Sequence, residues 1–461
     1  MTTWWCEAAW VDDADGADPP PLGLRVRDGV RLVTEGSRIV GLTCDVAPAP
    51  GDIRLDGVAF PGLANTHSHA FHRALRGRTH ADGGTFWTWR EQMYAVAARL
   101  DPASYLALAR ATYAEMALAG YTAVGEFHYV HHRPDGTAYE DPNAMGAALV
   151  AAAADAGIRL TLLDTCYLAG GLGPDGHLPL APEQQRFGDG TVAKWTERMT
   201  QRASQGASQG AFARDHVRLG AAIHSVRAVE RADLAAVAKA ADGIPLHVHL
   251  SEQPAENDSC RAFYGRTPTE LLADAGALGP NTTVVHATHL TDTDITALGS
   301  ARVTACFCPT TERDLADGIG PARALADAGA QLALGSDQHA IIDPFEEARA
   351  LESHERLASL QRGRFTPTEL VRTLSRHGYA ALGWPDGGRL AVGALADFVA
   401  VQGDSVRTAG TRPEQLLYAA APGDVTTVVV GGETVVSRGE HRLGAAREIG
   451  RMLAEAIGQL H

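Results

Sequence analysis

Two histidines, His67 and His69, stand at i and i+2 just after an apolar run that begins Val58-Ala59-Phe60. Successive side chains of a strand point to opposite faces, so these two imidazoles point the same way and can share one metal. An isolated His-x-His pair serves equally well as two packed histidines at a strand end. Three more short apolar runs end on similar chemistry: His247-Val-His249-Leu-Ser-Glu252, His286, and Gly335-Ser336-Asp337. Taken singly, His247 and His249 could fill an interior, His286 could be a satisfied core histidine, and Asp337 could cap a helix. Taken together, three histidines and one aspartate around an open position suit a divalent transition metal, most often zinc. Such a metal lowers the pKa of a bound water to about 7 and supplies hydroxide at neutral pH.

These residues need a frame that brings distant positions together. Eight short apolar segments read as strands: Val58 to Ala64, Tyr121 to Phe127, Ile158 to Leu163, Val217 to Ile223, Pro245 to Leu250, Thr282 to His286, Arg302 to Cys306 and Leu332 to Ser336. Alanine-rich helical runs such as Pro102 to Ala119 and Ala144 to Ala156 lie between them. Strands alternating with helices predict parallel β/α units, and eight units predict a (β/α)8 TIM-like barrel with its site at the strand C-termini. Every candidate above falls at such an end. Both chain termini are rich in strand-like segments, Arg38-Ile-Val-Gly-Leu near the start and Val425 to Val436 near the finish. The expected architecture is therefore α/β: a barrel over residues 58–384 and a small β-sandwich domain from residues 1–57 and 385–461. The stretch from Tyr167 to Gly190, with Gly-Gly-Leu-Gly-Pro-Asp-Gly, reads as a long loop over the barrel mouth. A tandem Ala-Ser-Gln-Gly at Ala203 to Gly210 is too short for a repeat architecture.

A chain of 461 residues with 45% hydrophobic and 21% charged residues can bury a large core. Its formal charge of −15 argues against nucleic acid or an anionic membrane as partner. No apolar run reaches bilayer-spanning length, and Met1 to Asp18 is acidic with no basic segment before an apolar one, so a cytoplasmic protein is expected. The six cysteines show no framework spacing, which suits a reducing compartment, and Cys306-Phe-Cys308 reads as packing.

The set resembles the amidohydrolase superfamily, and within it the formimidoylglutamate deiminases. The motifs that carry the closer likeness are His67-Ser-His-Ala-Phe71, Phe86-Trp-Thr-Trp-Arg-Glu-Gln-Met-Tyr94, Gly125-Glu-Phe-His-Tyr-Val-His-His132, His224-Ser-Val-Arg227, His247-Val-His-Leu-Ser-Glu252, Val285-His-Ala-Thr-His289 and Gly335-Ser-Asp-Gln-His339. The resemblance implies metal ligation by His67, His69, His249 and Asp337, with Glu252 and His286 flanking the nucleophile. Binuclear members usually place a lysine at the end of strand four. Here that end reads Ile223-His-Ser-Val-Arg227, and the only lysines are Lys194 and Lys239, so one divalent metal per chain, zinc first, is expected.

The implied reaction is hydrolytic deimination of N-formimino-L-glutamate to N-formyl-L-glutamate and ammonia. Asp337 would take a proton from water, Glu252 would pass protons to the departing nitrogen, and His286 would orient the water. A dianionic substrate in an acidic chain needs local cations, and the resemblance nominates His72, Arg90, Tyr129, His224 and Arg227 as its contacts. His72 stands where members of the group carry glutamine. A homodimer is expected, as for many such barrels. Two rivals stand beside this reading: an aminohydrolase of a purine, pyrimidine or triazine ring, and a metal-binding barrel without chemistry.

Overall fold

The computed structural model describes residues 1–12, 23–80, 84–207 and 215–461. Of the acidic N-terminal stretch, Met1 to Asp12 is described; the remainder to Asp18, Leu22, and Ser208 to Gly210 of the tandem lie outside the described residues. The chain opens with β1 (Thr2–Asp12), β2 (Leu24–Glu35), β3 (Arg38–Thr43) and β4 (Ile53–Pro61). It continues into β5 (Leu63–Ser68), β6 (Tyr121–His128) and β7 (Arg159–Cys166), then a short hairpin of β8 (Gly171–Gly173) and β9 (Gly176–Leu178). Next come β10 (Val217–Ile223), β11 (Leu246–Leu250), β12 (Thr282–His286), β13 (Thr304–Phe307) and β14 (Gln331–Leu334). The last strands are β15 (Phe398–Val401), β16 (Val425–Val430), β17 (Glu433–Ser437) and β18 (Glu440–His441).

Strands β5, β6, β7 and β10 to β14 form one eight-stranded parallel sheet in chain order. Helices separate them, as parallel connections require. Two of these precede β6: α1 (Phe86–Arg99), capped by a reciprocal Thr85–Thr88 pair, and α2 (Pro102–Ala119), capped by Asp101 with Pro102 in its first turn and left-handed Gly120 at its end. The sheet closes on itself where Ser68 bridges Asp337. His67 C=O accepts the Asp337 N–H at 3.0 Å, and Asp337 C=O accepts the His69 N–H at 3.1 Å.

The expected first barrel strand, Val58 to Ala64, is divided. Residues up to Pro61 belong to β4, which pairs with β1 and β15, and Gly62 hands the chain to the barrel. A Cβ on Gly62 would lie 2.6 Å from Tyr379 Oη and 2.9 Å from Asp397 Cβ, which is why no side chain stands at this crossing. An uninterrupted apolar run concealed the change of sheet.

The two ends of the chain build the second sheet, in the order β18-β17-β16-β15-β4-β1-β2-β3. It is mainly antiparallel and hydrogen-bonded as one continuous sheet. Trp10, Val58 and Phe60 on one face join the barrel's core, while Trp4, Val30, Leu32, Phe398 and Val429 on the other enclose a separate core with Leu390 and Ala394. Buried Asp397 locks the sheet to the barrel. It accepts Arg159 Nε–H at 2.6 Å and Nη2–H at 3.0 Å, Tyr379 O–H at 2.8 Å and Gly431 N–H at 2.7 Å. Among the described residues, no helix is long and apolar enough to cross a membrane.

Candidate functional site

The predicted residues meet at the C-terminal rim of the barrel. His67 lies in β5 and His69 one residue past it, His249 in β11, His286 at the end of β12 and Asp337 beyond β14. His67 Nε2 and His69 Nε2 each lie 3.3 Å from Asp337 Oδ1, and His249 Nε2 lies 3.1 Å from His67 Nε2. Backbone strain marks the same rim: Ser251, His286, Ala287, Asp337 and His339 all hold positive φ without being glycine. These turns redirect the chain at the strand ends and aim the side chains across the barrel mouth.

Tautomers follow from the hydrogen bonds. His69 Nδ1 lies 2.9 Å from Phe127 C=O and His249 Nδ1 lies 2.9 Å from His224 C=O, so each must carry its proton on Nδ1 and present a bare Nε2. Burial holds His67, His69 and His249 below the ordinary imidazole range, His69 at about 3. Burial opposes the charge on Asp337, yet His67, His69 and His286 keep it well below the usual carboxylate range. The bare Nε2 atoms of His69 and His249 thus turn toward Asp337 and His67, a convergence of lone pairs and carboxylate at one point of the rim. Among the described residues, His67, His249, His286 and Asp337 each bring a ligand atom within 4.8 Å of one another, as do His69, His72 and Asp337, so this rim can hold a divalent cation.

His286 and Glu252 flank this cluster. His286 Nε2 lies 3.7 Å from Glu252 Oε1 and 3.9 Å from Asp337 Oδ2, and its Nδ1 lies 3.5 Å from buried Glu312. Burial opposes protonation of His286, but Glu252, Glu312 and Asp337 together raise it well above its ordinary value. Glu252 in turn lies 3.7 Å from Arg227 Nη2, whose Nε is 3.3 Å from fully buried Glu256.

All five expected substrate contacts line one cavity with Glu252, His286 and Asp337. His72 Nε2 lies 3.0 Å from Tyr129 Oη, so the histidine keeps a polar group at that position. Arg90, on α1, donates from Nε to Tyr94 Oη at 2.5 Å and stacks over the Trp87 and Tyr94 rings. His224 and Arg227 follow β10, as the barrel reading required.

Sequence reasoning missed part of the wall. Trp89, Met93, Tyr94, Tyr167 and Phe187 also line the cavity. The Phe86 to Tyr94 motif contained three of them, but aromatic residues at helical spacing read equally well as core. Several histidines of the motifs are structural. His247 Nε2 lies 3.2 Å from Ala381 C=O deeper in the barrel, and His131 Nε2 lies 2.9 Å from Thr165 C=O. His132 Nε2 lies 3.0 Å from Asp189, which with Asp164 forms a buried network around Arg198. Cys306 and Cys308 pack with Val285 and Ala333 in the barrel interior as free thiols.

Comparison with known proteins gives this geometry its setting. The family model described as the amidohydrolase family matches residues 58–435. Formimidoylglutamate deiminase of Pseudomonas aeruginosa is 37% identical over 438 residues, covering 91% of this chain and 94% of that protein. The 8-oxoguanine deaminase of the same organism is 31% identical over 89% of this chain and 91% of its own length. Among solved structures, an amidohydrolase from Brucella melitensis covers both chains completely with a TM-score of 0.88 and 32% identity. The zinc-complexed atrazine chlorohydrolase of Arthrobacter aurescens, at 22% identity and a TM-score of 0.84 over the full length of both chains, shares the fold. With the family model spanning the barrel and the donor cluster at its rim, this chain belongs to the amidohydrolase family.

Proposed function

We propose that this hydrolase acts on N-formimino-L-glutamate, releasing ammonia and N-formyl-L-glutamate. The observation that carries the reading is the pair of guanidinium groups, Arg90 and Arg227, in one cavity with Glu252, His286 and Asp337, in a chain whose net charge is −15. Two fixed cations in an acidic protein answer a substrate with two carboxylates. The 37% identical relative bears the name of that activity.

Held by His67, His69, His249 and Asp337, zinc would supply the Lewis acid that makes water nucleophilic at neutral pH. The chain's own residues supply the rest. Asp337 takes the proton of the attacking water at Oδ2, the oxygen that faces His286. His286 donates from Nε2 toward the incoming oxygen and stabilises the charge that develops on it. Glu252 Oε1, 3.7 Å from that same nitrogen, relays protons to the imino nitrogen; the two protons of the attacking water, the one taken by Asp337 and the one left on its oxygen, both end there, so ammonia leaves as the formyl carbonyl forms. The α-carbon bears the nitrogen that stays in the product, so the α-carboxylate is the one nearer the formimino carbon and belongs beside Arg227, the arginine in contact with Glu252. His224, Tyr129 and His72 line the same cavity as the arginines.

A second reading has an observation in its favour. Phe86, Trp89, Tyr129, Tyr167 and Phe187 give the cavity aromatic walls that would also hold a heterocycle, and one relative is named as an 8-oxoguanine deaminase. Ammonia release from N-formimino-L-glutamate, measured beside guanine, 8-oxoguanine and cytosine, separates the two. Turnover of the first, lost in Arg227→Met and in a Glu252→Gln variant that still holds its metal, is expected. Turnover confined to a ring amine refutes the proposal.

A further inference from the structure

The stretch from Tyr167 to Gly190 contains a buried amide that the chemistry above leaves unused. Gln184 sits in a turn of 3-10 helix, Pro182–Phe187, with 3% of its surface exposed. Its Oε1 accepts the Ala181 N–H at 2.9 Å, which fixes the orientation of the amide. Its Nε2 then faces three acceptors: Gly170 C=O at 3.0 Å, Tyr167 Oη at 2.9 Å and Tyr94 Oη at 3.0 Å. Tyr94 Oη also accepts from Arg90 Nε. Phenol oxygens that face N–H donors on one side turn their own protons elsewhere, one of them toward the other phenol and one toward the cavity. Both tyrosines line the cavity, and burial raises the Tyr94 pKa, so its phenol stays neutral and able to donate.

We propose that the Tyr94 and Tyr167 hydroxyls, positioned by Gln184, complete with Arg90 a subsite for the far carboxylate of the substrate and so set its chain length. This inference rests on the reading that the substrate is a formimino dicarboxylate. The reacting end is fixed by Glu252 and the neighbouring carboxylate by Arg227. Arg90, which contacts Tyr94, Gly170 and Trp87 and makes no ion pair with Glu252 or Glu256, is left for the other end. The O–H turned toward the cavity and a guanidinium match the lone pairs of one carboxylate better than a guanidinium alone. A substrate shorter by one methylene falls short by more than about 1 Å, beyond hydrogen-bond range of this wall. Gln184 is a positioning residue: it touches the tyrosines, not the substrate.

The test compares N-formimino-L-glutamate with its L-glutamine and L-aspartate counterparts in Tyr94→Phe, Tyr167→Phe and Gln184→Leu. Loss of one donor to a carboxylate should raise KM for the glutamate compound about tenfold or more while kcat stays within about threefold. KM for the uncharged glutamine compound should barely move, and the wild-type preference for glutamate over aspartate should shrink. Equal losses on both compounds, or no loss on either, overturn the subsite. Affinity for glutarate, a plain five-carbon dicarboxylate, provides a readout that needs no chemistry. If the wild type turns over no formimino compound, the reading of the substrate fails. The subsite then stands only if glutarate binds the wild type at least about tenfold tighter than a Tyr94→Phe, Tyr167→Phe double variant. Equal affinity, or no binding, removes it.

Discussion

Replacing Gly335 by alanine tests whether the seam of the barrel and the metal cluster depend on one close approach. A Cβ at this position would lie 2.8 Å from His67 Cβ, 2.8 Å from His67 O and 2.9 Å from His67 N. Ordinary contact begins at 3.4 Å, so the two strand ends must part by about 0.6 Å. Two backbone hydrogen bonds of 3.0 and 3.1 Å join the same strand ends between residues 67–69 and Asp337, and the parting stretches them toward their limit. Overpacking of this kind costs about 1–3 kcal/mol, and each weakened hydrogen bond adds about 1 kcal/mol. The larger effect is on function, because metal distances tolerate only about 0.2 Å. Gly335→Ala should therefore lose metal on dialysis and fall in kcat/KM by about tenfold to a hundredfold, the upper figure being the consequence of a roughly 1 Å misplacement in an active site. Gly450→Ala is the control, since no atom lies within 4 Å of its added methyl and alanine favours the helix by about 1 kcal/mol. Metal content by mass spectrometry and turnover, measured on both, decide the matter. A Gly335→Ala protein with full metal and wild-type turnover would refute the reasoning.

Asp397→Asn leaves Arg159 buried without its counter-charge and should cost about 3–5 kcal/mol in urea unfolding with turnover per folded molecule unchanged. Burial pushes the Glu126 carboxyl up to about 7, even though it accepts the Ala70 N–H and the Ser68 hydroxyl. The folded state then holds a proton that the unfolded chain has already released. Stability from this group is complete below about pH 4.5 and is lost as pH rises to 7. The difference in unfolding free energy between wild type and Glu126→Gln should change by about 3 kcal/mol across that window; a flat difference would remove the effect. Chelation should lower the unfolding temperature and zinc should restore it, because an ion held by the His and Asp side chains at the barrel rim binds the folded chain and not the unfolded one. Unchanged melting after complete metal removal would contradict that account.

Much of this site could be read from single residues because barrel geometry converts strand ends into neighbours. His67, His69, His249, His286 and Asp337 needed only the eight strands and the rule about their C-terminal rim. What could not be read depends on partners far apart in sequence with no periodic signature. Gln184 finds Tyr94 ninety residues away, and nothing about a glutamine in a glycine-rich segment announces such a bond. The pair His247 and His249 obeyed strand alternation, yet depth along the strand separates a ligand at the rim from a residue bonded to Ala381 below it. Gly62 was invisible for the opposite reason: hydrophobicity runs unbroken through the point where the chain changes sheets. The left-handed conformation of Ala287 at the rim was equally hidden, since alanine is not a residue type that advertises it.

The seam between β5 and the end of β14 joins the first and last strands of the barrel through the very residues that gather the donors. Order of synthesis therefore becomes order of assembly. While the chain emerges, the first two histidines have no aspartate within reach, and even after His249 joins them an incomplete barrel offers a metal only part of its donor set. Full capture waits until the eighth strand docks, some 270 residues later. The aspartate therefore reports on the fold: once it reaches the histidines, the barrel has completed its circle.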